Sequence, residues 1–217
     1  LGTFILGTMM RGRGWQAEVI IEEWEAIDFE ALRSADLVGI STITSTAPRA
    51  YAIADRVRSL GVKVMLGGPH VTFLTEEALA HADFVIRGEG ENSLPVFAAA
   101  WERGGSLENV PNLSYWHDDK VRHNSIQAHV DDLDAIPIPD LDLSKAFERK
   151  RASRIVIPVQ TSRGCPYACT FCSVTGMFGR KFRFRSTASV MAELRRYDPH
   201  RHFIFFYDDN FTANAEH

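Results

Sequence analysis

The chain has 217 residues, of which 45% are hydrophobic and 24% charged, with a formal net charge of −4. That supports one large or two modest globular domains, and the mild acidity excludes the basic footprint of a nucleic-acid binder. No apolar run reaches membrane-spanning length, Thr3 to Met10 being far too short, and no stretch reads as a signal peptide.

Residues 1–104 read as repeating strand and helix units. Leu1 to Arg13 predicts a helix capped by Gly14. Ala17 to Glu22 predicts a strand around Val19, Ile20 and Ile21, and Phe29 to Ala35 a short helix. Asp36 to Ile40 predicts a buried strand, followed by the polar turn Ser41 to Thr46 and a helix over Ala50 to Leu60. Val62 to Leu66 predicts a strand ended by Gly67-Gly68-Pro69-His70. Thr75 to His81 predicts a helix with Thr75 as cap and Glu76 and Glu77 in its first turn. A strand at Asp83 to Arg87, a turn at Gly88 to Glu91 and a helix over Asn92 to Arg103 complete the segment. Alternating strands and helices predict an α/β fold, a parallel sheet with helices on both faces.

Ligands of such sheets bind beyond the carboxyl ends of the strands. The candidate contacts are therefore Ser41, Thr42 and Thr44, then Gly67, Gly68 and His70, then Gly88 and Glu89. Adjacent glycines admit close backbone approach, and hydroxyls donate and accept. His70 reads equally as a structural residue, and Glu89 and Glu91 as solvated or helix-capping carboxylates. No G-x-G-x-x-G is present, so a dinucleotide is not indicated.

Residues 105–153 read as a connector. Asn112 to Trp116 and Val121 to Ile126 predict a β-hairpin turning at His117 to Lys120. The acidic stretch 131–142 carries Pro137 and Pro139, which bar a helix and predict an extended, solvated linker.

Residues 154–217 open a second domain with a strand at Ile155 to Val159. The loop after it holds all three cysteines of the chain, Cys165, Cys169 and Cys172, spaced C-x3-C-x2-C. Iron–sulfur clusters are usually held by four thiolates; three leave one iron of a four-iron cluster open to a non-protein ligand. Phe178 to Arg185 alternates aromatic and basic residues and predicts a loop beside the cysteines, with Arg180, Lys181 and Arg183 available to a carboxylate. Ser186 or Thr187 caps a helix to Arg196, and Phe203 to Tyr207 predicts a buried strand followed by Asp208, Asp209 and Asn210. The chain opens without Met and closes where another helix would start, so an internal fragment of a longer protein is expected.

Cys165-x3-Cys169-x-Phe171-Cys172 resembles the signature of the radical S-adenosylmethionine (SAM) enzymes. The resemblance implies that the three cysteines hold a [4Fe–4S] cluster whose open iron chelates SAM. It implies reductive cleavage to a 5′-deoxyadenosyl radical, with Phe171 near the adenine and one of Asp208, Asp209 and Asn210 accepting from the SAM amino group. The usual Gly-Gly-Glu is missing at that place.

Gly39-Ile-Ser-Thr-Ile, Gly67-Gly-Pro-His-Val-Thr-Phe and Arg87-Gly-Glu-Gly-Glu look like the cobalamin-binding domain that precedes the radical domain in one subgroup. The implied architecture is a Rossmann-like (flavodoxin-like) sheet over 1–104 with its first strand missing, a hairpin linker over 105–153, and the start of a partial TIM-like (β/α) barrel over 154–217. The implied reaction is methylation of an unactivated carbon of a small-molecule substrate, with ring cyclisation or skeletal rearrangement also open. An electron donor such as flavodoxin or ferredoxin and a cytoplasmic location complete the expectation.

Two rivals stand beside this reading. One is a radical SAM enzyme without cobalamin, a cyclase or methylthiotransferase-like protein. The latter usually carry further cysteines in the first domain, and none precedes Cys165. The other is a non-catalytic iron–sulfur or zinc-binding module. It calls for a fourth ligand, which one of the eight histidines would have to supply for zinc.

Overall fold

The computed structural model describes residues 1–126, 129–149 and 154–212. They form two compact units, Ile27–His129 and Leu1–Ala26 with the described residues from Val130 onward. The helix expected to start near the end of the chain lies outside the described residues, as do 127–128 and 150–153 of the expected linker.

Helix α1 (Gly2–Gly12) belongs to the second of these units and ends as expected, with Gly14 at φ +98°. The apolar run at 17–22 forms no ladder with any of the described residues. The Val19 N–H donates to the Leu143 carbonyl at 2.7 Å, and its side chain packs with Phe4 and Leu143. That bond and the small cluster help anchor the segment, with no neighbouring strand among the described residues to define a sheet.

The 27–129 unit is built on a five-stranded sheet ordered β1 (Leu37–Ser41), β2 (Lys63–Gly67), β3 (Phe84–Ile86), β4 (Leu113–His117) and β5 (Lys120–His123). β1, β2 and β3 run parallel, as the alternation predicts. Successive strand residues face opposite sides, and the helices divide accordingly. Val64, Leu66 and Val85 pack with Ala54 and Val57 of α2 (Ala47–Ser59) and Leu79 of α4 (Thr75–His81). On the other face the Phe84 ring meets Phe97 and Trp101 of α5 (Ser93–Glu102) at 5.0 and 5.5 Å. β1 lies at the sheet edge and is half-buried where a buried strand is expected.

The hairpin is no free connector. β4 pairs antiparallel with β3, Phe84 opposite Tyr115 and Ile86 opposite Leu113. β3 is buried throughout, and a buried strand needs a bonding partner on each edge. Asp118 and Asp119 both take positive φ, +50° and +56°, in the tight turn that suits a two-residue hairpin.

α4 differs from expectation at its start. The Thr75 hydroxyl donates backward to the carbonyls of Val71 and Thr72, at 3.0 and 3.3 Å, and caps nothing. The short helix α3 (Pro69–Phe73) runs almost directly into α4 and places those carbonyls within reach.

In the second unit, Pro137 and Pro139 separate two one-turn 3-10 helices, Leu133–Ala135 and Leu141–Leu143. Asp132 and Asp140 cap them by accepting from the backbone N–H of Asp134 and Asp142. The acidic stretch thus contributes caps as well as surface. Helix α6 (Lys145–Arg149) comes next, then β6 (Ile155–Val159), which pairs in parallel with β9 (His202–Phe206). Ile155, Ile157 and Val159 pack with Tyr197, Ile204 and Leu194, the last from α8 (Thr187–Leu194). Ser186 caps α8 by accepting from the Ser189 N–H. The sequence predicts a buried β9, yet Phe203 and Phe205 are 53% and 56% exposed. Their face of the pair carries no covering layer among the described residues. No helix among the described residues is long and apolar enough to cross a membrane.

Candidate functional site

The cysteine loop leaves β6 where the sequence places it. After Val159 the chain forms a two-residue strand β7 (Ser162–Arg163), the loop 164–173, helix α7 (Val174–Phe178) and a return strand β8 (Arg183–Phe184) antiparallel to β7. Gly164 sits at φ +87°, and a side chain there would collide with the Lys181 carbonyl. The Cys165 N–H donates to the Gly179 carbonyl at 3.3 Å, and Arg180 donates to the Pro166 carbonyl at 3.1 Å. Arg183, 4% exposed, donates to the carbonyls of Phe178 and Val130 at 2.8 and 2.5 Å. Lys181 reaches Asp131 at 2.7 Å. The aromatic–basic stretch therefore backs the cysteine loop, and its cations are engaged by protein groups.

β6 and β9 are parallel neighbours, with Val159 opposite Phe206. The segments leaving the two strands consequently lie side by side. Asp208 Oδ1 accepts from the backbone N–H and the hydroxyl of Thr161, both at 3.0 Å, and from those of Ser162 at 2.5 and 2.6 Å. Asp209 Oδ2 accepts from the Gly164 N–H at 3.2 Å. Asn210 Nδ2 lies 3.9 Å from Cys165 Sγ. Three consecutive residues thus hold the start of the loop in register. Burial raises the Asp209 pKa above the usual carboxylate range; the Gly164 N–H opposes the shift and the Asp208 charge adds to it. Asp208 Oδ2 is buried and has no hydrogen-bond partner among the described residues.

All three thiols are free, Cys169 exposed and Cys165 and Cys172 half-buried. Phe171, 91% exposed, stands between the last two. Among the described residues no group of three His, Cys, Asp or Glu side chains closes on a single metal ion. A four-iron cube holds its thiolates further apart than one ion does. Three free thiols on one loop are soft sulfur donors of the right kind for it.

The second candidate site lies in the 27–129 unit. Ser41 pairs with Gly67 in register, and the Thr42 N–H donates to the Gly67 carbonyl at 3.0 Å. Thr72 Oγ1 donates to the Gly68 carbonyl and accepts from the Gly88 N–H, both at 2.9 Å. His70 Nδ1 lies 3.2 Å from Thr44 Oγ1 and Nε2 3.3 Å from Glu77 Oε1. The turns after β1, β2 and β3 therefore sit together at one sheet edge, fastened to one another. Ser41 and Thr44 are exposed and Gly67, Gly68 and Gly88 partly so, while Thr42, His70 and Glu89 are buried. Glu91 is buried too, so neither glutamate is a solvated carboxylate. Sequence reasoning missed the roles of Thr72 and Glu77: Thr72 belongs to the Gly67-Gly-Pro-His-Val-Thr-Phe stretch without being a candidate contact, and Glu77 reads as an ordinary first-turn acid.

An α/β chain with a three-thiol loop at the end of a parallel strand, and a separate sheet edge lined with Ser, Thr and Gly turns, defines a metal- and ligand-binding class. Family models make it specific: the B12 binding domain matches residues 1–98 and the radical SAM superfamily residues 159–217. The chain belongs to the radical SAM enzymes that carry a B12-binding domain. It is 37% identical to an uncharacterized methyltransferase of Pyrococcus horikoshii over 83% of this chain and 41% of the relative. It is 33% identical to an anaerobic magnesium-protoporphyrin IX monomethyl ester cyclase of Rubrivivax gelatinosus, over 73% of this chain and 30% of the relative. Its fold matches the radical SAM methyltransferase TsrM of Kitasatospora setae, solved with tryptophan and a SAM analogue bound. That match has a TM-score of 0.80 at 19% identity and covers 98% of this chain and 45% of that one. The chain spans less than half the length of each of these relatives.

Proposed function

We propose that this chain belongs to a cobalamin-dependent radical SAM enzyme that methylates an unactivated carbon of a small-molecule substrate. The observation that carries the reading is the trio of free thiols, Cys165, Cys169 and Cys172, on a loop held by strand-end bonds at the carboxyl end of a parallel pair. When bound, the cluster supplies the electron that cleaves SAM to a 5′-deoxyadenosyl radical, and cobalamin carries the methyl group.

The chain's own residues divide the work. Cys165, Cys169 and Cys172 ligate the cluster, and Phe171 lies against the adenine. Asp208, Asp209 and Asn210 remain the candidates for the SAM amino group. The buried, unpartnered Asp208 Oδ2 favours Asp208 among them. Ser41, Thr44, Gly67, Gly68, Gly88 and the buried Thr42, His70 and Glu89 form or support the cobalamin edge. In functional terms residues 1–104 hold cobalamin, 105–153 complete that sheet with their hairpin and then lead on, and 154–217 begin the barrel. A flavodoxin or ferredoxin supplies the electron, and the location is cytoplasmic; nucleic acid is no partner.

The cyclase relative keeps ring cyclisation as the second reading. Anaerobic reconstitution of the full-length protein is expected to give about four iron and four sulfide per chain. Cys165→Ala, Cys169→Ala and Cys172→Ala should each abolish the cluster absorbance. Bound zinc without iron would remove the basis of the proposal. Transfer of label from methyl-labelled SAM into product separates methylation from cyclisation.

A further inference from the structure

Resting on the cobalamin reading, we infer that His70 is a positioning residue that commits the Thr44 hydroxyl proton, so that Thr44 meets the ligand as a hydrogen-bond acceptor. The group it recognises is an N–H donor such as a peripheral primary amide of the corrin.

An ionised carboxylate only accepts hydrogen bonds. Glu77 Oε1 lies 3.3 Å from His70 Nε2, so Nε2 carries the proton. In the neutral ring Nδ1 is then the acceptor. Its neighbour is Thr44 Oγ1 at 3.2 Å. A hydroxyl has one proton and two lone pairs. Donating to Nδ1 leaves Thr44 with acceptor capacity alone. The bond from His70 is also the largest of the causes that hold the Glu77 pKa below the usual carboxylate range, which keeps that carboxylate ionised.

Exposure separates the two roles. His70 is 7% exposed and both of its ring nitrogens are engaged, so it has no free polar atom for a ligand. Thr44 is exposed, on the turn after β1, at the edge where the Gly67–Gly68 and Gly88 turns also lie. Tyr51 of α2 also lies against the His70 ring, with ring centroids 5.9 Å apart. Tyr51 stacks in turn on His81, which bonds Asp55. The chain of command therefore runs from α4 through α3 to the turn after β1, within one unit.

The test is a double-mutant cycle on the full-length protein, titrating hydroxocobalamin and following the visible spectrum. Thr44→Val and His70→Leu are each expected to weaken binding about 3- to 10-fold, the worth of one hydrogen bond. The double variant should be no weaker than the worse single one, because His70 acts through Thr44. Thr44→Ser should bind as wild type. His70→Asn, which keeps a polar atom near the Nδ1 position, should recover part of the loss, which a purely packing role for His70 would not give. Thermal melts identify any variant that is unfolded, and Thr44→Val, at an exposed position, keeps the test open should His70→Leu fail to fold. Binding by wild type with Thr44→Val unaffected, or with additive losses in the cycle, overturns this inference alone. No binding by wild type overturns it together with the cobalamin reading.

Discussion

A methyl group added to Gly68 would meet the Thr42 carbonyl oxygen at 2.6 Å and the Thr42 nitrogen at 3.0 Å, on a backbone already at φ +101°. One added to Gly67 would meet only the Ile86 carbonyl, at 4.0 Å. The two neighbours therefore do different things: Gly68 lets β2 turn beneath the Ser41–Thr42 segment, and Gly67 leaves open space at the same sheet edge, where cobalamin is proposed to bind. Gly68→Ala should destabilise the fold by about 1–3 kcal/mol from strain alone. Gly67→Ala should leave the melting temperature nearly unchanged while weakening hydroxocobalamin binding. Equal melting temperatures for the two variants would refute this division. Asp209 gives a second residue-scale outcome. Its folded-state pKa is raised by burial, so the folded chain holds the proton more tightly than the unfolded one. Its ionised form then opposes folding, and stability falls as pH rises from the ordinary carboxylate range through the raised pKa. Asp209→Asn keeps an acceptor for the Gly164 N–H and removes the charge. The variant should be more stable than wild type at pH 7, with the gap closing as pH falls towards about 4. Urea unfolding at several pH values measures this, and a gap that widens towards acid would contradict it.

Between elements, the governing fact is that β6 and β9 are parallel neighbours ending together. Asp208 can then accept from Thr161 and Ser162, binding the exit of one strand to the exit of the other. Asp208→Ala leaves those buried donors without an acceptor, at about 1–3 kcal/mol for each one unsatisfied. It should lower the melting temperature and the iron content together, whereas Asp208→Asn should retain much of both. Iron loading unchanged in a folded Asp208→Ala would show that the cysteine loop does not depend on this bond. Much of this is legible in the sequence: the strand at 155–159, the cysteine spacing, and the polar triplet after the second strand. What the triplet bonds is not legible, because pairing between residues nearly fifty positions apart leaves no local pattern. The same limit explains the other departures. Val19-Ile20-Ile21 has the composition of a strand, but a strand needs a neighbour, and composition does not say whether one exists. Thr75 has the right type and place for a cap, yet the close approach of α3 offers it carbonyls instead. Phe203 to Tyr207 is apolar throughout, and periodicity cannot say whether both of its faces are covered.

For the molecule as a whole, the informative element is the hairpin β4–β5. In sequence it comes after the last helix of the repeating strand–helix pattern, and the turn at Asp118–Asp119 marks it as local structure, so it reads as part of a connector. In three dimensions it completes the sheet by pairing β4 with the buried β3. The B12-domain match stops at residue 98 and excludes it, while the compact unit runs from Ile27 to His129 and includes it. These boundaries make opposite claims about what folds. A piece ending at residue 104 exposes the β3 edge, whose N–H and C=O groups then have no partner and invite pairing with other chains. It also loses Leu113 and Tyr115, 0% and 5% exposed in the folded chain, and leaves the apolar surfaces they cover in water. A piece spanning 27–129 keeps all five strands, the helices on both faces and the three fastened turns. Expressed alone, 27–129 should melt in one cooperative transition and stay monomeric, and 1–104 should aggregate or melt without a clear transition. Circular dichroism melts and size-exclusion chromatography of the two pieces decide the matter. A cooperative, monomeric 1–104 would show that the hairpin is an attachment to the sheet rather than a part of what holds it together.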